Sequence, residues 1–129
     1  MESDGNYRQH TGREGEEIVC GYLAKQGHVI LERNWRNGHL EIDIISLDAE
    51  GIHFVEVKAR RKSIQAPPQD NVDRNKQRRI ATAAKRYLCT KGKSLSGKYE
   101  CFFDVAAVTF EGETVHMEWI PQAYIPMYL

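Results

Sequence analysis

Residues 40–59 read LEIDIISLDAEGIHFVEVKA, two apolar runs separated by Asp48-Ala49-Glu50-Gly51. Each run alternates its side chains with the period of two of a β-strand, and the connection is short enough to make the runs antiparallel neighbours. Pairing Leu47 with Ile52 puts Leu40, Ile42 and Ile44 on one face with His53, Val55 and Val57, a face that reads as core. The opposite face carries Glu41, Asp43, Ile45 and Leu47 beside Ile52, Phe54, Glu56 and Lys58, apolar near the turn and charged away from it. In that register Asp43 stands opposite Glu56, and Glu41 opposite Lys58.

Two carboxylates at cross-strand distance, roughly 4.5 to 5.5 Å between Cβ atoms, repel each other unless something neutralises them. Oxygen ligands on strands suit Mg²⁺ or Mn²⁺, so Asp43 and Glu56 are the expected metal ligands. Lys58, two residues after Glu56 on the same face, is placed to stabilise phosphoryl charge or orient a water. The plainer reading is a solvated face with a structural Glu41 to Lys58 ion pair. Against it, both strands are otherwise strongly apolar, and the charges cluster at one end.

Outward from this pair, residues 11–26 predict an amphipathic helix with Thr11 and Glu14 as a capping box and Gly27 at its end. Its apolar stripe is Ile18, Val19, Tyr22 and Leu23, with Glu16 on the edge. His28–Trp35 reads as a strand, and Arg36-Asn37-Gly38-His39 carries a hairpin signal. Residues 60–69, with two prolines, read as a loop. A second helix is expected from Asp70 or Asp73 to about Thr90, with Lys76 and Gln77 turned toward the sheet by the stripe of Ile80, Ala83, Ala84, Tyr87 and Leu88. Strands at 101–110 and 114–120 complete the order α, β, β, β, α, β, β, an α/β fold with a mixed central sheet flanked by helices.

The chain has 129 residues, the size of one domain, with 41% hydrophobic and 28% charged residues, which excludes fibrous, disordered and membrane-spanning classes. Residues 1–10 are expected to be a flexible segment, and 11–129 the domain. No run approaches the ~20 apolar residues of a membrane span, so a soluble, cytoplasmic protein is expected. Cys20, Cys89 and Cys101 form no paired spacing and read as small core residues. The five histidines are scattered. His53 reads as a packed core histidine, Asp104 as a buried structural acid or a group supporting the site residues, with the structural role favoured, and Trp35 and Trp119 as packing residues.

The ordered series GREGEEIVCGYL, RNWR, LEIDII, FVEVKAR, KQRRI and FFDVAAV, from Gly12 to Val108, resembles the YraN-type family of small bacterial predicted endonucleases. That family falls in the PD-(D/E)XK superfamily, with the restriction-endonuclease-like fold shared by Holliday-junction resolvases. The resemblance places the superfamily's acidic metal ligands on Asp43 and Glu56, its lysine on Lys58, its helix glutamate on Glu16, and the polar pair of its second helix on Lys76 and Gln77. It implies an Mg²⁺- or Mn²⁺-dependent nuclease acting on DNA, structure-specific toward branched or junction DNA, in repair or recombination. By analogy with resolvases it also implies a homodimer. Three positions depart from the pattern: Ile42 replaces the proline before the aspartate, Leu40 a glycine, and Ile64-Gln65-Ala66-Pro67 the phenylalanine-glycine of the following loop. The alternative is a non-catalytic nucleic-acid-binding module on the same fold, and a protein-interaction domain ranks third.

The formal net charge is zero, with 18 basic and 18 acidic residues, which by itself argues against a phosphate-rich partner. The charges are nevertheless segregated. Residues 58–98 hold 13 of the basic residues and only two acids, a net +11 balanced by −11 elsewhere. Arg60, Arg61, Lys62, Arg74, Lys76, Arg78 and Arg79 are the expected phosphate-binding residues.

Overall fold

The computed structural model describes residues 4–62 and 73–124, and the side chains from Gln9 onward within them. Seven longer elements and one short turn of 3₁₀ helix follow the expected order: α1 (Asp4–Lys25), β1 (Val29–Asn37), β2 (Leu40–Leu47), β3 (Gly51–Arg61), α2 (Arg74–Cys89), β4 (Glu100–Glu111) and β5 (Thr114–Ile120), with the 3₁₀ turn at Lys93–Leu95. The sheet runs β1-β2-β3-β4-β5. Only β3 and β4 are parallel, and every other neighbouring pair is antiparallel. This mixed sheet with a helix on each face is an α/β architecture consistent with the restriction-endonuclease-like fold.

Alternation along the strands assigns the two layers. Ile45, Phe54, Phe103 and Val105 pack with Ile80, Ala83, Ala84 and Tyr87 of α2. Ile44, Val55, Ala106 and Val108 pack with Val19, Cys20 and Leu23 of α1. Trp35 meets the Tyr87 ring edge-on at 5.4 Å, and Trp119 lies 6.0 Å from Tyr22, so both tryptophans are packing residues. Gly15 lets α1 approach β3 closely, because a Cβ there would stand 2.6 Å from the Cβ of Ala59. At the end of α2, Gly92 donates its N–H to Tyr87 O at 2.8 Å, and a Cβ at that position would run into the Tyr87 ring.

Several expectations need correction. α1 begins at Asp4, so it takes in most of the stretch expected to be flexible, and Thr11 is a buried residue inside the helix instead of its cap. Propagating an anchored helix adds one hydrogen bond per residue, which lets a polar stretch extend it. β3 continues through Arg60 and Arg61 because its whole length pairs with β4, so the loop begins later than expected. Residues 63–69 of that loop and the alternative helix start at Asp70 lie outside the described residues. The α2 start is set by Asp73, whose Oδ1 accepts from Lys76 N at 2.8 Å. Cys20 is buried and Cys101 partly so, whereas Cys89 is exposed at the end of α2.

The register Leu47↔Ile52 is observed, but the β2–β3 ladder ends at Ile44↔Val55. Beyond it β3 follows β4, while β2 stays with β1 through Asn37↔Leu40. Ile42 consequently packs in the α2 layer and Ile44 in the α1 layer, so Leu40, Ile42 and Ile44 do not share one face. Asn34, between the β1 partners of these two isoleucines, has a left-handed backbone with φ 52°, which marks where the alternation changes. Glu41 does not meet Lys58 across a ladder and lies 3.6 Å from Arg36 of β1.

Candidate metal centre and its basic surroundings

The fork where β2 parts from β3 exposes backbone donors that a ladder would have used. Asp43 fills the gap, its Oδ2 accepting from Val57 N at 2.8 Å. Glu56, on the strand that continues with β4, has a side chain only 7% exposed. Burial, then the neighbouring Glu56 carboxylate, push the Asp43 carboxyl up to about 8, against the hydrogen bond from Val57, which favours its charged form. The two carboxyl groups also hydrogen-bond to each other, so at neutral pH the pair retains a proton that an isolated aspartate would lose.

One cation already reaches this pair. Lys76, in the first turn of α2, makes an ion pair with Glu56 Oε1. Burial alone would lower its ammonium, but the hydrogen bond and charge of Glu56, with Asp43 behind, hold it above its usual range. The helical stripe that turns Lys76 toward the sheet therefore brings it to the carboxylates, although its side chain is still 41% exposed. Gln77 follows it, half-buried, on the same turn. Lys58, also half-buried, shares the Glu56 face by strand alternation.

Glu16 approaches from α1. Its Oε2 accepts from Asn34 Nδ2 at 3.1 Å, and its charge contributes to the upward push on Asp43. It also lines an open cleft of about 420 Å³ with Gly12, Arg13, Arg36 and Glu41. Asp43, Glu56, Lys76 and Glu16 thus converge, from two strands and two helices, on one end of the fork.

The basic residues divide into two groups. Arg61 lies 3.3 Å from Glu14 of α1 and 5.0 Å from the centre of the Phe110 ring, and Lys62 lies 3.6 Å from Glu111. Arg60 is half-buried on β3. Arg74, Arg78 and Arg79 are exposed along the first two turns of α2, beside Lys76. Arg74, Arg78 and Arg79 are thus exposed on the same two turns of α2 as Lys76, the residue that reaches Glu56.

A second polar cluster escaped the sequence reading. His53 is buried, as expected, but its Nδ1 lies 2.6 Å from Asp104 Oδ2 and its Nε2 lies 2.9 Å from Asp48 Oδ1. His28, at the entry to β1, lies 3.2 Å from Asp48 Oδ2 and 2.9 Å from Ser46 Oγ. Asp104 is 1% exposed and also accepts from Gln122 N at 2.8 Å. A signal was present in the sequence, because Ser46, His53 and Asp104 are polar residues at inward positions of apolar strands. Their juxtaposition depends on the parallel β3–β4 pairing, which brings Val55 beside Asp104 across 49 residues and which no local pattern specifies.

Comparison with known proteins finds relatives along most of the chain. Residues 15–108 match the model of the family described as "Uncharacterised protein family UPF0102". A UPF0102 protein of Pseudomonas syringae pv. tomato is 36% identical over 122 residues, covering 91% of this chain and 94% of that protein. One from Chlorobium chlorochromatii is 45% identical over 97 residues, covering 75% and 72%. The matched span contains both carboxylates, Lys58 and the whole of α2.

Proposed function

The chain belongs to the UPF0102 family, and we propose that it is a metal-dependent nuclease that hydrolyses DNA phosphodiester bonds, with branched or junction DNA as its preferred substrate. The observation that carries this reading is the Asp43–Glu56 pair, two strand carboxyl groups brought together where the ladder opens, with Asp43 raised to about 8. Such a pair is costly to a fold and is relieved by a divalent cation. The donor set, all carboxylate oxygen, fits Mg²⁺ or Mn²⁺. Bound there, the cation would supply Lewis-acid stabilisation of phosphoryl charge and a more acidic water.

The chain's own residues have distinct parts in this proposal. Asp43 and Glu56 hold the cation. Lys58, beside Glu56 on β3, donates to a phosphoryl oxygen or orients the attacking water. Lys76 neutralises Glu56 in the free protein, and its flexible, partly exposed stem lets the ammonium transfer to a phosphate when the cation takes its place. Glu16 and Gln77 orient groups at the edge of the site. Arg74, Arg78 and Arg79 meet the phosphate backbone, with Arg60, Arg61 and Lys62 on the far side of the fork. A second copy of the chain would supply the second cut that a junction requires.

The Lys76–Glu56 ion pair favours the second reading, a binding module of nuclease-like fold whose carboxylates are neutralised internally. Incubation with branched, flapped and linear DNA in Mg²⁺ or Mn²⁺ separates the two. The nuclease reading requires cleavage by wild type that is lost in both Asp43→Ala and Lys58→Ala. Salt-dependent DNA binding that survives Asp43→Ala, with no cleavage in either metal, would establish the module instead.

A further inference from the structure

The polar cluster behind β3 is separate from the nuclease-like fork. His53 is three residues from Glu56, so strand alternation turns it to the opposite, α1-facing side of the sheet. There the Nε2 atoms of His28 and His53 each face one oxygen of the Asp48 carboxylate, and one ligand atom from each residue lies within 4.8 Å of the others. His53 Nε2 lies 2.9 Å from Asp48 Oδ1 and His28 Nε2 lies 3.2 Å from Asp48 Oδ2, distances comparable with the spacing of about 3.3 Å between ligands on a tetrahedral ion with bonds of about 2.0 Å.

The outer nitrogens are held as well. His53 Nδ1 lies against the Asp104 carboxylate at 2.6 Å, and His28 Nδ1 against Ser46 Oγ at 2.9 Å. In metal sites the remaining ring nitrogen is usually fixed by a carboxylate, carbonyl or hydroxyl in this way, leaving the other lone pair to the ion. Charge points in the same direction: Asp48 and Asp104 bring two negative charges to the site, which a divalent ion with two neutral imidazoles would balance. The ligating edge opens into a cleft of about 290 Å³ walled by Tyr22, Gln26, Glu50, Trp119 and Pro121, with room for a water as fourth ligand.

We propose that His28, Asp48 and His53 form a binding site for a zinc-class divalent ion, oriented by Ser46 and Asp104 and open to solvent at a fourth position. Nitrogen ligands set it apart from the all-oxygen fork, so the two sites prefer different metals. Ligands from the lead-in to β1, the β2–β3 turn and the core of β3 make the ion a clamp across three parts of the chain. Asp104, which also accepts from Gln122 N, ties the segment after β5 to the same point.

The test is titration of the metal-free full chain with ZnCl₂ alone, followed by calorimetry and melting temperature, and with CoCl₂ followed by visible absorption. The expected result is one equivalent bound with a rise in melting temperature, a tetrahedral Co²⁺ spectrum, and at least a hundredfold weaker binding in His28→Ala and Asp48→Asn. Ser46→Ala, which removes only an orienting group, should weaken binding 10- to 100-fold. Asp43→Ala should leave zinc affinity unchanged, which keeps this test independent of the nuclease reading. Zinc X-ray absorption of the wild type, which needs no variant to fold, should show two imidazole ligands. No zinc binding, binding lost in Asp43→Ala, unchanged affinity in His28→Ala and Asp48→Asn, or a zinc shell without imidazole would each overturn the proposal.

Discussion

Asp43→Asn should make the metal-free protein more stable, and increasingly so as pH rises. Folding raises the Asp43 carboxyl from an ordinary 3.8 to about 8, so between those values the native state binds a proton that the unfolded chain has released. Stability from this residue is therefore complete below about pH 4 and is lost as pH climbs through 8. Four pKa units at 1.36 kcal/mol each set a ceiling of about 5 kcal/mol. Asp43 is partly solvated and shares its proton with Glu56, which reduces the expected gain at pH 8 to about 1–3 kcal/mol. Asparagine keeps an oxygen for the Val57 N–H and carries no charge to oppose Glu56. Urea unfolding in EDTA at pH 5, 6, 7 and 8 measures the effect. With m near ~1–3 kcal/mol/M, the variant's midpoint should lie about 1 M above wild type at pH 8, and the difference should shrink toward pH 5. Mg²⁺ should narrow the gap by stabilising wild type alone. A variant no more stable at pH 8, or a gain independent of pH, would show that the pair carries no such strain.

Three further outcomes follow from particular contacts. Lys76→Met leaves the 7%-exposed Glu56 without its ammonium and should cost about 1–3 kcal/mol by urea unfolding, with part of the loss restored by Mg²⁺. Gly15→Ala drives a methyl to 2.6 Å from Ala59 Cβ and should destabilise by about 1–3 kcal/mol, whereas adding Ala59→Gly should recover most of that; additive losses in this double-mutant cycle would refute the close-approach argument. Replacing Arg74, Arg78 and Arg79 together by alanine should weaken DNA binding and reduce the slope of log K against log salt by about 3, without moving the melting temperature beyond the small change typical of surface sites.

How far the sequence could be read depended on the range of each interaction. Strand existence, the Leu47↔Ile52 register and the α2 cap at Asp73 follow from periodicity and turn chemistry acting within about twenty residues, and they are as the pattern predicts. The faces of Glu56 and Lys76 were legible for the same reason, because alternation and the helical stripe are local rules. The end of the β2–β3 ladder was not. Extrapolating the hairpin gave Asp43 opposite Glu56 as a neat cross-strand pair, whereas β2 leaves β3 beyond Ile44 and Asp43 bridges the gap through Val57 N.

The early end of the β2–β3 ladder is also the step that connects fold to chemistry. A ladder continued to Glu41 and Lys58 would have satisfied every backbone group and left the charges on a solvated face. Ending it at Ile44 converts one aspartate into a substitute for a missing strand partner, beside a buried glutamate whose strand keeps only its β4 neighbour there. The fold thus holds two carboxyl groups closer than their charges favour, and sets the partly exposed Lys76 against Glu56 as their counterion. On the reverse face, the same β3–β4 pairing sets Asp104 behind His53, so a histidine that looks like core packing has Nδ1 held against one carboxylate and Nε2 directed at another, that of Asp48. Both sites lie along the stretch of β3 that pairs in parallel with β4. Substitutions that weaken β4 against β3, such as Val105→Gly, should disturb the magnesium and zinc affinities together, whereas Asp43→Ala or His28→Ala should affect only one.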